Sequence, residues 1–169
     1  IRVGYINKVV RYLNKEFYSA YLYLDMSNYY YSKNLDGFGN WFKIQAQEER
    51  DHAMLFLTYL QNNGECPKLG AIDAPDKVYE SFRDPLAASL VHEEYVTSLI
   101  NAIYAEAMKA NDFRTLQFLD WFVKEQGEEE KNADDMLKKY DLYGSDPKGL
   151  YSLNSELAAR VYTAPSLTL

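Results

Sequence analysis

Apolar residues recur every three or four positions through four long stretches of this chain, and nowhere do they alternate with the period of a half-buried strand. The first stretch runs from about Tyr5 to Lys33 without a Gly or Pro. Asn34 to Gly37 break the pattern before a second stretch from about Phe38 to Asn62, which predicts two long helices joined by a tight turn. A third begins near Pro85, a favourable first-turn residue, and continues to Lys109. Asn111 and Asp112 separate it from a fourth that reaches about Tyr140.

Between the second and third stretches lies NGECPKLGAIDAPDKVYESFRDP, which holds Gly and Pro but no sustained period. A structureless link of about twenty residues is longer than most connections inside a compact domain. At up to about 3.3 Å per residue it can return along the whole length of a bundle, so it reads as a crossover. Past GSDPKG, the residues Leu150, Leu153, Leu157 and Val161 mark a short amphipathic helix over about 149–161, and the tail 162–169 shows no evident structure. The predicted fold is all-α: one domain over 1–169, a four-helix bundle over about 5–141 with one long crossover, and a short fifth C-terminal helix.

Charges intrude on the buried stripes. On the second helix Phe38, Phe42, Gln45, Glu49, His52, Phe56 and Leu60 fall within an arc of roughly 80° at 100° per residue. A solvated charged face would put Glu49 and His52 on the opposite side. Glu16 is the only charge on the first helix's stripe of Val9, Leu13, Ala20, Tyr23 and Ser27. Glu93 shares a face with Leu86, Leu90, Thr97 and Ile100, and Glu129 with Phe118, Phe122, Gln126, Ala133 and Met136. Depth agrees, because Glu16 and His52 are equidistant from Asn34, and Glu93 and Glu129 from Asn111.

Four carboxylates pressed together in an apolar interior lose hydration and repel one another, so they must protonate or gather cations. Two divalent ions balance four glutamates. Oxygen-rich ligation with one imidazole describes a dinuclear carboxylate site in which Glu49 is best placed to bridge, while ligand type leaves iron, manganese and zinc open.

Composition narrows the partners. A formal charge of −7 and a pI near 4.9 argue against a nucleic-acid binder, which neutralises phosphates with clustered Lys and Arg. Cys66 is the single cysteine, so no disulfide framework calls for an oxidising compartment, and a cytosol fits best. No stretch approaches the length of a membrane span, and no secretory signal pattern opens the chain. It begins at Ile1 without a methionine, which leaves the original N-terminus open and is compatible with a removed organelle leader. The 16 tyrosines read chiefly as core and interface material, with rings buried and hydroxyls wet.

NKEFYSAYLY around Glu16, QAQEERDHAM around Glu49, VHEEYV around Glu93 and FLDWFVKEQGEEE around Glu129 together resemble the prokaryotic non-haem ferritins, over about residues 8–157. GLYSLNSEL is similar to that family's short fifth helix. The resemblance implies an iron-storage protein with a ferroxidase centre. Its first iron would be held by Glu16, Glu49 and His52, and its second by Glu49, Glu93 and Glu129 with Gln126 close by. A third, more exposed iron would use Glu48, Glu125 and Glu128 with Glu129 shared, and Tyr23 matches a tyrosine beside the paired irons. Fe(II) would be oxidised by O₂ or H₂O₂ and stored as a ferric mineral inside a homo-oligomeric shell of twenty-four subunits.

Departures from related patterns also carry expectations. Where many diiron proteins have a second Glu-x-x-His on the fourth helix, this chain has Gln126 and Glu129, so the second iron site is expected to be the weaker. Arg50 stands where bacterioferritins carry their haem-ligand methionine, so no haem is expected. His92 points about 100° away from Glu93 and reads as structural or surface. The alternative function is a rubrerythrin-like diiron peroxidase or oxidase without storage. Such enzymes usually need an electron-delivery partner, and a single cysteine supplies no rubredoxin-like module.

Overall fold

The computed structural model describes residues 5–169. Among them are five α-helices and no strand: α1 (Ile6–Ser32), α2 (Asp36–Asn62), α3 (Asp84–Lys109), α4 (Phe113–Tyr143) and α5 (Pro147–Ala158). None of these helices is long and apolar enough to cross a membrane.

The breaks fall where the polar punctuation predicts them. Asn34 and Asn111 adopt φ of 61° and 53°, the left-handed region that asparagine tolerates and that commonly ends a helix. The chain then reverses within a few residues, so α1 packs on α2 and α3 on α4 as antiparallel pairs. Asp112 caps α4 by accepting from the Thr115 amide at 3.3 Å, which satisfies one of the free donors at a helix start.

The long connection does run the length of the bundle. Gly70 sits against Asn14, Tyr79 donates to Asp25 at 3.2 Å, and the Phe82 carbonyl accepts from the Tyr30 hydroxyl at 2.7 Å. Successive crossover residues therefore meet successive turns of α1, and α3 starts beside the end of α1.

Two apolar clusters fill the bundle. One gathers Val9, Leu13, Phe56, Ile100, Phe118 and Phe122. The other gathers Leu22, Met26, Tyr30, Phe42, Leu86 and Met136 at the opposite end. Tyr59 of α2 stacks on Phe118 of α4 at 4.0 Å between centroids and bridges the two helix pairs, while Tyr30 of α1 stacks on Phe42 of α2 at 5.6 Å within one pair.

The last helix departs from expectation at both ends. It starts earlier, at Pro147, because Asp146 accepts from the Gly149 amide at 2.8 Å and proline fits the first turn. It stops at Ala158, which leaves Val161 outside the helix and exposed rather than on its apolar face. The stop follows from α2: the Asn40 amide donates to the carbonyls of Leu157, Ala158 and Arg160, groups that a continuing helix would otherwise use. The tail also has fixed partners, described below, where the sequence showed none.

α5 in turn completes α2. The Asn154 side chain accepts from the Gly37 amide at 2.8 Å and the Phe38 amide at 3.2 Å, capping the α2 N-terminus from another element. Approach is so close that a Cβ on residue 37 would lie 1.7 Å from the Asn154 carbonyl oxygen. Gly37→Ala should therefore destabilise by about 1–3 kcal/mol through overpacking, and Asn154→Ala by about 1 kcal/mol through loss of the cap. Thermal unfolding followed by circular dichroism checks both, and equal melting of Gly37→Ala and parent would remove the close-contact account.

Candidate metal centre

Between the two apolar clusters lies one buried polar layer. α1 supplies Glu16, α2 supplies Glu49 and His52, α3 supplies Glu93 and α4 supplies Glu129, and all five side chains belong to residues at most 5% exposed. Water cannot hydrate these groups, so their charges must be met from within.

Ligand-type atoms of Glu16, Glu49 and His52 lie within 4.8 Å of one another, as do those of Glu49, Glu93 and Glu129. Glu49 belongs to both trios. His52 Nδ1 faces Glu16 Oε2 at 3.3 Å and Glu49 Oε2 at 3.4 Å. Both Glu16 oxygens, Glu49 Oε2 and His52 Nδ1 are buried without a hydrogen-bond partner. Folded proteins rarely leave buried polar atoms unsatisfied, and here four of them converge on one point. Such a convergence fits a divalent cation, which an oxygen-rich set with one imidazole binds well.

Electrostatics without metal agree. Burial, then the neighbouring Glu16 charge, pushes Glu49 up to about 7 against the opposing pull of His52. Glu93 and Glu129 are held well above the usual carboxylate range, first by burial and then by the other carboxylates around them. For His52 burial disfavours the imidazolium, but Glu16 and Glu49 outweigh it and raise the group well above its ordinary value.

Surrounding donors hold the carboxylates in place. The Tyr23 hydroxyl donates to Glu93 Oε1 at 2.5 Å. The Gln126 amide donates to Glu93 Oε2 and to Thr97 Oγ1, both at 3.2 Å. The Gln45 amide donates to Glu49 Oε1 at 3.0 Å and Glu129 Oε2 at 2.8 Å. Tyr23 and Gln126 are thus each bonded to the Glu93 carboxylate.

The outer acidic group is arranged differently. Glu125 is half-buried and raised, first by burial, with Glu128 and Glu48 nearby adding to it. The trio within 4.8 Å at this edge is His52, Glu125 and Glu129. Glu48 is paired with Arg160, and Glu128 is exposed.

Three contributors escaped the sequence reading. Tyr12 lies one turn before Glu16, fully buried, its hydroxyl beside the carboxylates without hydrogen-bond geometry. Trp121 packs nearly perpendicular to the His52 ring with centroids 5.6 Å apart. Gln45 stood on the predicted inward stripe, but its role needed the fourth helix in place. His92 is buried and hydrogen-bonded to Ser19 Oγ at 2.7 Å, in keeping with a structural reading.

The raised groups fix a pH dependence for the metal-free protein. A raised folded-state pKa stabilises below the unfolded value and loses that stabilisation as pH climbs through the folded one. For Glu49 the window spans from 4.5 to about 7, and Glu93, Glu129 and His52 act with the same sign. The metal-free protein should melt lower at about pH 8 than at about pH 6, and Zn(II) should remove most of that difference by neutralising the ionised site. Differential scanning calorimetry with and without Zn(II) checks this, and a pH trend unaltered by Zn(II) would contradict it.

A family model described as a ferritin-like domain matches residues 6–143. The bacterial non-haem ferritin of Campylobacter jejuni is 36% identical over 82% of this chain and 83% of its own length. That of Escherichia coli O6:H1 is 33% identical over 90% and 93%. Among solved structures, an open-pore ferritin from the hyperthermophilic archaeon Archaeoglobus fulgidus superposes with a TM-score of 0.92 at 38% identity, covering 95% of this chain and 99% of that one. An engineered closed form of the same organism's ferritin gives 0.94 at 39% identity over 96% and 99%. With the bundle, the crossover and the buried carboxylate layer all in place, the chain belongs to the ferritin family.

Proposed function

We propose that this chain binds Fe(II) as substrate at the buried carboxylate layer, oxidises it in pairs and stores the product as Fe(III) mineral within a shell of like subunits. The observation that carries the reading is the set of orphaned atoms on Glu16, Glu49 and His52, adjoining Glu93 and Glu129. Glu16, Glu49 and His52 form the proposed first iron site. Glu49, Glu93 and Glu129 form the second, with Gln126 orienting Glu93.

Two ferrous ions held side by side supply together the electron pair that one molecule of O₂ takes up with two protons to give H₂O₂, or that H₂O₂ takes up with two protons to give two waters. The chain's own groups prepare this chemistry. Their carboxylates neutralise the ions, and the protons they hold at neutral pH leave as metal arrives. Tyr23 and Gln126 hold Glu93, and Gln45 holds Glu49 and Glu129, so the second set is already oriented before iron enters. Apolar clusters on both sides keep bulk water from the reacting pair.

Storage within a shell of twenty-four subunits is a reading supported by family membership and by the close likeness to ferritin structures. A rubrerythrin-like enzyme acting alone would instead be a small oligomer, which size-exclusion chromatography with light scattering distinguishes.

Glu49→Ala removes the one carboxylate common to both trios. It should slow the initial oxidation of Fe(II) by about two orders of magnitude or more while the helical circular dichroism persists, in line with the loss expected when a metal-orienting group is removed. Stopped-flow absorbance at the ferric charge-transfer band measures it, and an unchanged initial rate would refute the assignment.

A further inference from the structure

The residues after α5 lie across the outer face of the metal centre. Asn40 donates to the Arg160 carbonyl at 3.1 Å and turns the chain back toward α2. There the Arg160 guanidinium stacks 4.2 Å from the Trp41 ring centroid and donates to the Trp41 carbonyl at 3.0 Å, to Gln45 Oε1 at 2.9 Å and to the Glu48 carboxylate. The side chains of Arg160 and Glu48 are only 19% and 20% exposed, so the pair is shielded from solvent and salt. Farther along, the Tyr162 hydroxyl donates to Asp51, the Trp121 indole donates to Ser166 Oγ at 2.9 Å, and Leu167 packs on the apolar cluster that contains Phe56, Phe118 and Phe122. A cavity of about 210 Å³ remains beneath this strap, bordered by His52, Glu48, Glu125 and residues 163–166.

Two consequences follow from one guanidinium. Glu48, expected among the ligands of a third iron, is already neutralised by a cation covalently tied to the chain. A divalent ion there must displace a bidentate-capable, ring-stacked arginine rather than water. The same guanidinium orients Gln45: because its carbonyl oxygen accepts from Arg160, its amide nitrogen points inward to Glu49 and Glu129.

We propose that Arg160 is a specificity-determining residue that occupies the place of a third metal ion, withdrawing Glu48 from the acidic edge and restricting each chain to the paired ions. The proposal rests on the paired-metal reading above and concerns how many ions that centre accepts. Hinged on the Asn40 contact and fastened through Tyr162 and Trp121, the strap is the element that keeps the arginine in place.

The test uses Zn(II), which binds without redox chemistry, on the whole assembled protein and on Arg160→Ala. Anaerobic calorimetric titration should show Zn(II) per chain at the centre rising from about two in the parent to about three in the variant, and Arg160→Lys, which keeps the charge, should stay near the parent. Crystals soaked in Zn(II) and measured at the zinc edge locate the ions. Peaks between Glu16 and Glu129 with none at Glu48 in the parent, joined by a peak at Glu48 in Arg160→Ala, support the proposal. A third peak in the parent, whether at Glu48 or among His52, Glu125 and Glu129, or no peak at Glu48 in the variant, overturns it while leaving the paired site standing. Absence of peaks at Glu16, Glu49 and Glu129 in both overturns the paired reading and the inference together. Arg160→Gln, which keeps hydrogen-bond donors without charge, replaces Arg160→Ala if the latter does not assemble, with the same peak expected.

Discussion

Negative charge held away from water governs this molecule. Glu16, Glu49, Glu93 and Glu129 come from four different helices, and each is nearly or fully buried. Bringing even one ionised carboxylate into such a place costs several kcal/mol, and neighbouring acids add repulsion. The unfolded chain has no such difficulty, because its carboxylates sit in water. A centre like this persists only if the rest of the fold is stable enough to bear it and if cations relieve it in use.

The two apolar clusters supply that stability and also fix the geometry. Stacked and edge-on rings around Phe42 and Tyr30 at one end, and around Phe56, Phe118 and Phe122 at the other, clamp the helices above and below the polar layer. Close-packed rings resist sliding, so the carboxylates cannot drift apart to lower their repulsion. Rigidity in the flanking layers is what turns four acids into one site. Satisfied donors from Tyr23, Gln45 and Gln126 act on one half of it, while Glu16, His52 and one oxygen of Glu49 remain unmet on the other. The two halves therefore differ before any metal arrives. The better satisfied half contains Glu93 and Glu129, with the Gln126 amide bonded to Glu93.

α5 and the tail link the outer surface to this interior. Asn154 caps α2 from α5, and Asn40 of α2 ends α5, so each helix settles a terminus of the other. Arg160 leaves that junction and reaches Gln45, which in turn touches Glu49 and Glu129. A continuous chain of hydrogen bonds thus runs from the C-terminal strap to the carboxylate shared by both metal trios.

The helices and the inward glutamates were set by the sequence alone, because both depend on local rules: a period near 3.6 residues, polar breaks at Asn34 and Asn111, and equal counting from each turn. Glu16, Glu49, His52, Glu93 and Glu129 could be named for that reason. Val161 was misplaced because helix termination at Ala158 is imposed by Asn40, far away in sequence, and not by a breaker in the tail. Likewise the contacts of Trp121, the orientation of Gln45 and the engagement of Glu48 by Arg160 carry no periodic mark. They exist only once α2, α4 and the tail are packed side by side. Periodicity reports which face a residue shares, whereas the partner that satisfies its charge is chosen by contacts between segments far apart in the chain, and only the tertiary structure decides those.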